Sequence, residues 1–198
     1  MSDYSQLPAD LPVPVDDGAA EGLVGREVPD LELPATMAVD PEGGGGLRLT
    51  DLANGLLVAY VYPMTGTPGK ALPHGWDDIP GARGCTPQSC AYRDALADFE
   101  ELGATVVGIS AQSPAEQAEF AAREHIPFPL LSDKGLLLRG ALGLPTFEVE
   151  GRVLYRRLTV VAAEGRIAKV FYPVFPPDRD AAEVLAWLGD RVAEGEAA

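Results

Sequence analysis

Leu56 to Tyr62 (LLVAYVY) is the stretch that most limits what this chain can become. A run without polar interruption cannot serve a sheet with one wet face. A strand made of it must be central and covered on both sides. Thr105 to Ser110 (TVVGIS) is a second run of this kind. Between them, CAYRDALADFEELG places Leu96, Phe99 and Leu102 at helical spacing, with Gly103 as a stop. Two buried strands joined through a helix describe a parallel pair with a crossover.

The rest of the chain extends this unit. Residues 1 to 23, rich in Pro, Asp and Ala, read as an extended or disordered arm. The domain proper is expected over residues 24 to 194. Val24 to Pro34 reads as a short edge element, and the Gly43–Gly46 run as a turn between strands rather than a phosphate loop, because no Lys-Ser/Thr follows. Pro114 to His125 reads as a helix, Pro129 to Ser132 as a short strand and Leu136 to Leu142 as a short helix. Leu158 to Ala162 and Ile167 to Tyr172 form a hairpin around Glu164-Gly165. Asp180 to Val192 closes the chain as an amphipathic helix with Val184, Leu185, Trp187 and Leu188 inward. The order β-α-β-α-β-α-β-β-α predicts an α/β, thioredoxin-like fold with a central mixed sheet flanked by helices.

Charge and cysteine usage narrow the function. The 198 residues carry 30 acidic and 15 basic side chains, a net charge of −15. Such a surface repels phosphate backbones and anionic membranes, so neither nucleic acid nor membrane is an expected partner. The polar, acidic start has no basic segment before an apolar run, and a cytoplasmic location is expected. The two cysteines, Cys85 and Cys90, are too few and too close for a structural framework in a reducing compartment; they are redox-active or simply small core residues. Metal ligation is disfavoured, because His74 and His125 complete no ligand spacing with them. His125 reads as a helix-end residue, and Glu100-Glu101 and Asp77-Asp78 as solvated charges.

Cys85 follows a loop and opens a helix. The free amide hydrogens of a first helical turn favour an anion, and the thiolate is the reactive form of cysteine. Pro87 suits the placement, since a first turn does not need its N–H.

In these residues the chain resembles the peroxiredoxins, and among them the bacterioferritin comigratory protein or peroxiredoxin Q group. Tyr62-Pro63 ends a strand; Pro63, Thr67 and Gly69 keep the spacing of the Pro-x-x-x-Thr-x-x-Cys signature, with Lys70 to Gly84 inserted before Cys85. Tyr92-Arg93-Asp94, Val106 to Ser110, Phe128 to Asp133 and Glu164 to Ile167 continue the resemblance, which spans roughly residues 24 to 190. It implies that Cys85 attacks the peroxide and Cys90 resolves the product as an intramolecular disulfide. Pro63 and Thr67 shape the site, Arg157 supplies the cation, and no cofactor is required. It further implies hydrogen peroxide and organic hydroperoxides as substrates, a thioredoxin-like or other dithiol reductant as partner, and a monomer or weak dimer.

The chain departs from the group at Gln88, where a Glu is frequent, and around the arginine, where Arg156 and Arg157 are adjacent. A strand points neighbouring side chains to opposite faces, so only one of the two can meet the thiolate; Arg157-Leu-Thr-Val-Val fits the pattern better. The insertion, with His74, Trp76 and Arg83, is either a lid or surface decoration. Two other readings compete: a thioredoxin-type thiol-disulfide oxidoreductase without peroxidase activity, against which the Cys-x-x-x-x-Cys spacing argues, and a non-catalytic binding protein that uses the insertion as its contact surface.

Overall fold

The computed structural model describes residues 7, 8, 10–37 and 45–193. Its frame is a five-stranded mixed sheet in the order β5-β4-β3-β8-β9. Strand β3 (Leu56–Val61) occupies the centre, with every residue buried, as its unbroken apolar run demands. It pairs in parallel with β4 (Ala104–Ser110), which pairs in parallel with β5 (Leu130–Ser132). On its other side β3 pairs antiparallel with β8 (Leu158–Ala163), and β8 with β9 (Arg166–Phe171).

Alternation along β3 feeds two cores. Leu57, Ala59 and Val61 pack with Leu33, Leu138, Leu142 and Ile167 on one face. Leu56, Val58, Tyr60 and Tyr62 pack with Cys85, Tyr92, Phe99, Phe120, Val184 and Leu188 on the other. The second face is covered by α2 (Cys85–Asp94), α3 (Leu96–Glu101), α4 (Pro114–Glu124) and α6 (Asp180–Ala193). The first is covered by α1 (Leu49–Leu52) and α5 (Leu137–Leu142). Ser113 caps α4 in a full capping box with Glu116, and His125 ends it in the left-handed conformation.

Three features differ from the sequence reading. The helix after Cys85 is broken at Ala95 (φ −101°, ψ 7°) into α2 and α3. On a straight helix Tyr92 and Phe99 would lie about 10.5 Å apart along the axis; the break lets their rings stack at 5.5 Å. A second hairpin joins β6 (Thr146–Val149) to β7 (Arg152–Tyr155) through Glu150-Gly151, both at positive φ. The edge segment around Leu33 forms β1 (Glu32–Pro34), paired with β2 (Gly46–Arg48) rather than with the main sheet. Single bridges, Glu27 to Arg166 and Ala35 to Leu131, tie its flanks to the two sheet edges. Gly43 and Gly44 of the glycine run, like residues 1–6 and 9 of the arm, lie outside the described residues.

Candidate active site

Cys85 is the first residue of α2 and is 3% exposed. Gly84 before it holds φ 102°, which a side chain rarely adopts. A Cβ at that position would fall 2.3 Å from Pro177 Cγ and 2.8 Å from Leu7 Cδ2. The glycine therefore admits both the turn into the helix and the close packing of the arm and of residues 177–179 around the thiol.

Arg157 lies between β7 and β8 and is itself 3% exposed. Its Nη2 donates to Cys85 Sγ at 3.2 Å and to the carbonyls of Arg83 at 3.0 Å and Ala82 at 3.3 Å. Its Nη1 donates to Gln88 Oε1. Arg156 lines a shallow depression with Arg157, Pro14, Tyr172 and Pro173, and its charge acts on Asp17 and Tyr172. A permanent cation with a rigid fork is thus held against the sulfur, at the positive end of a helix.

Gln88 continues the contacts. Its Nε2 donates to Asp180 Oδ2 at 2.7 Å, an oxygen that also accepts from Thr159 Oγ1 at 2.7 Å and Tyr92 Oη at 2.9 Å. Burial pushes the Asp180 carboxyl above its ordinary value, while the bonds from Thr159, Gln88 and Tyr92 and the charge of Arg157 pull it back. Burial likewise raises the phenols of Tyr60 and Tyr62, both beside Cys85, and of Tyr92.

A small cavity opens at the sulfur, lined by Met64, Thr65, Gly66, Leu72, Trp76, Arg83, Gly84, Cys85 and Thr86. Pro63 is buried at the end of β3. Thr67 is not among the lining residues: it sits half-buried at a turn closed by the Lys70 N–H on the Thr67 carbonyl at 3.0 Å. The threonines among the lining residues are Thr65 and Thr86. The Thr65 hydroxyl is held by a neighbour. Gln112 fixes it, its Oε1 accepting from Thr65 N at 2.8 Å and Oγ1 at 3.1 Å. The insertion supplies Leu72, Trp76 and Arg83 to the wall. Trp76 and Ala82 pack on Val149 and Leu154 of the β6–β7 hairpin, and the His74 N–H donates to Glu150 Oε1 at 3.0 Å.

Cys90 lies on the same helix under different conditions. It is half-buried, and its Sγ is 3.9 Å from Glu124 Oε2. Burial first, then Glu124 and Asp94, push its thiol up, opposed by Arg93. Both cysteines are free thiols.

Sequence reasoning missed Thr65, Gln112, Asp180 and the wall residue Leu72. Thr65 follows Pro63 by two and was legible as a second candidate hydroxyl. No local signal links Asp180 to Gln88, which lies 92 residues before it.

Residues 23–185 match the Redoxin family. A chloroplastic peroxiredoxin Q of Sedum lineare is 31% identical over 155 residues, 78% of this chain and 75% of that protein. A chloroplastic peroxiredoxin Q of Gentiana triflora is 29% identical over 181 residues, 91% of this chain and 76% of that protein. The crystal structure of the peroxidoxin BcpB from Mycobacterium tuberculosis superposes with a TM-score of 0.66 at 29% identity, covering 84% of this chain and 96% of that one. The plastid relatives overturn the cytoplasmic expectation. It rested on a polar, acidic start that shows no basic segment before an apolar run, and such an absence does not fix the compartment.

Proposed function

Because the chain belongs to the redoxin family, and within it to the peroxiredoxins of the Q type, it is a thiol-dependent peroxidase, and we propose that Cys85 is the sulfur that attacks the peroxide. The observation that carries this assignment is the Arg157 guanidinium 3.2 Å from Cys85 Sγ at the start of α2. The thiolate attacks one peroxide oxygen, the O–O bond breaks, and the departing oxygen takes the electron pair and then a proton. Cationic and amide donors fixed around the sulfur hold the thiolate and stabilise the charge moving onto the leaving oxygen. Pro63 shields the sulfur from water. Thr65, which lines the cavity and gives its hydroxyl proton to Gln112, offers its hydroxyl oxygen as an acceptor to the incoming peroxide.

The sulfenic acid on Cys85 condenses with the Cys90 thiol, expelling water and leaving a Cys85–Cys90 disulfide. A thioredoxin-like dithiol resets it by exchange. The thiol-disulfide oxidoreductase reading is not favoured. The acidic surface supports a partner set without nucleic acid or membrane. The large apolar side chains exposed among the described residues, Val13, Val15, Val24, Met37, Leu137 and Val192, support a monomer or weak dimer, because most are scattered along the chain. The described residues 10–23 act as an arm laid on the domain that follows, tied by the Tyr172 Oη donating to Asp17 Oδ1 at 2.8 Å.

Stopped-flow mixing of reduced protein with hydrogen peroxide or an organic hydroperoxide, with a sulfenic-acid trap and peptide mass mapping, tests the assignment. One equivalent of peroxide should be consumed per chain, with the trap on Cys85 first. Label arriving first on Cys90 would overturn it.

A further inference from the structure

Arg157 is a permanent cation buried among neutral acceptors. Besides the Cys85 sulfur, its partners are two backbone carbonyls and the Gln88 carboxamide, and its Nε has no hydrogen-bond partner. A buried charge without an opposite charge is costly. The thiolate supplies that opposite charge only in the reduced enzyme; in the sulfenic acid and the disulfide it is gone. The carboxylate linked to this cation is Asp180, 1% exposed and one amide away.

The polarity of the chain of bonds is fixed by its ends. Arg157 only donates and an ionised carboxylate only accepts, so Gln88 must turn its oxygen to Arg157 and its nitrogen to Asp180. Three donors converge on Asp180 Oδ2 from α2 and β8, an arrangement that favours the ionised form against burial, while Oδ1 remains without a partner. Asp180 opens α6, and an acidic residue there also serves a helix start. That role alone does not explain why its oxygen is aimed at a side chain bound to the catalytic cation.

We propose that Asp180 is a positioning residue for the peroxidase reaction: through Gln88 it holds Arg157 Nη1, directs Nη2 at Cys85, and balances the Arg157 charge in the states that lack a thiolate. This rests on the assignment of Cys85 as the nucleophile. In the reduced enzyme the two anions compete for one cation, so Asp180 moderates the thiolate character of Cys85. Tyr60 and Tyr62 of β3 and Tyr92 of α2 face the same space, but burial keeps all three phenols protonated through the neutral range. Arg157 and Arg83 stay charged.

The test is the pH profile of Cys85 alkylation by iodoacetamide in the full chain, read by peptide mass with Cys90 as internal control. Asp180→Asn keeps the shape and removes the charge. At a pH below the wild-type midpoint it should speed Cys85 alkylation roughly threefold to tenfold by removing the competing anion, with Cys90 unchanged. The double variant Q88E/D180N returns a carboxylate to the chain, now directly on Arg157, and should bring the midpoint back to or above the wild-type position. A lower melting temperature with an unmoved profile in D180N would reduce Asp180 to a fold anchor and overturn the proposal. A moved profile that the double variant does not restore would overturn the relay through Gln88. Where D180N alone does not fold, recovery of folding together with the wild-type midpoint in the double variant supports the proposal, and folding with a displaced, lower midpoint overturns it. Peroxide labelling of wild-type Cys85 reports separately on the nucleophile assignment.

Discussion

The start and the middle of α2 carry the same side chain in different surroundings. At the start Cys85 is 3% exposed, meets a guanidinium at 3.2 Å and sits on the free amides of a first turn. In the middle Cys90 is half-buried beside the Glu124 carboxylate, and its thiol is pushed up. One sulfur meets a guanidinium, while the other has burial, Glu124 and Asp94 against it and Arg93 in its favour. The helix also keeps them apart: five residues span about 7.5 Å along the axis and point to different faces, beyond disulfide reach. The difference teaches that the order of the two steps is written in the neighbours of each thiol.

The sharpest way to break this contrast is to remove each sulfur. Cys85→Ser should abolish peroxide consumption in stopped-flow assays, whereas Cys90→Ser should consume one equivalent and stop at a trappable sulfenic acid. Equal losses at both positions would erase the distinction.

Removing the cation comes next. Arg157→Met should lower the second-order rate with peroxide by about 10²–10³-fold, the usual loss of roughly 2.7–4 kcal/mol for one preorganised charge-stabilising donor. Arg156→Met, which removes a charge acting on Asp17 and Tyr172, should stay within about twofold of wild type. The reverse ranking would mean that Arg157 is not the catalytic cation.

The separation along the helix predicts movement. Disulfide formation should unwind residues 85 to 89, so amide exchange over residues 85 to 92 should be slower in the reduced than in the oxidised protein. Equal protection, with the disulfide confirmed by mass, would mean that the sulfurs meet without opening the helix.

The smallest effect belongs to Glu124. The Cys90 thiol is raised above its ordinary value, so its thiolate fraction is small at neutral pH and grows as pH rises. The resolving step should therefore accelerate with pH, by up to tenfold per unit. Glu124→Gln removes one of the raising causes and should speed resolution roughly twofold to fivefold at neutral pH. A slower variant would show that Glu124 assists the thiol instead of restraining it.

What the sequence displayed, and what it hid, follows from the range of each interaction. Strands β3 and β4 were legible because burial on both faces leaves an unbroken apolar run. The hairpin around Glu164-Gly165 was legible because both residues adopt positive φ between two apolar strands. The β6–β7 hairpin turns on Glu150-Gly151 with the same signs, yet its strands read only as surroundings of the arginine. Without that hairpin the insertion had no seat, and its contribution of Leu72 and Trp76 to the cavity wall could not be seen. Thr67 met the motif spacing; it forms a turn with Lys70, and the lining of the cavity includes Thr65 and not Thr67. The link from Arg157 through Gln88 to Asp180 joins three elements distant in sequence, and no local pattern reports such a meeting.

The break at Ala95 has a consequence for how far disturbance spreads. A single continuous helix from Cys85 to Glu101 would melt as one cooperative segment, and every opening of its first turn would tug at Phe99 in the core. The angled backbone at Ala95 divides the hydrogen-bonded ladder, with the Ala95 N–H closing on Ala91 and the Phe99 N–H starting afresh on Ala95. The segment that carries both sulfurs is thereby a hinge leaf of its own. Its first turn can open and reseal in each catalytic cycle while α3 keeps its own hydrogen bonds, and Tyr92, fully buried and stacked on Phe99, marks where the opening stops.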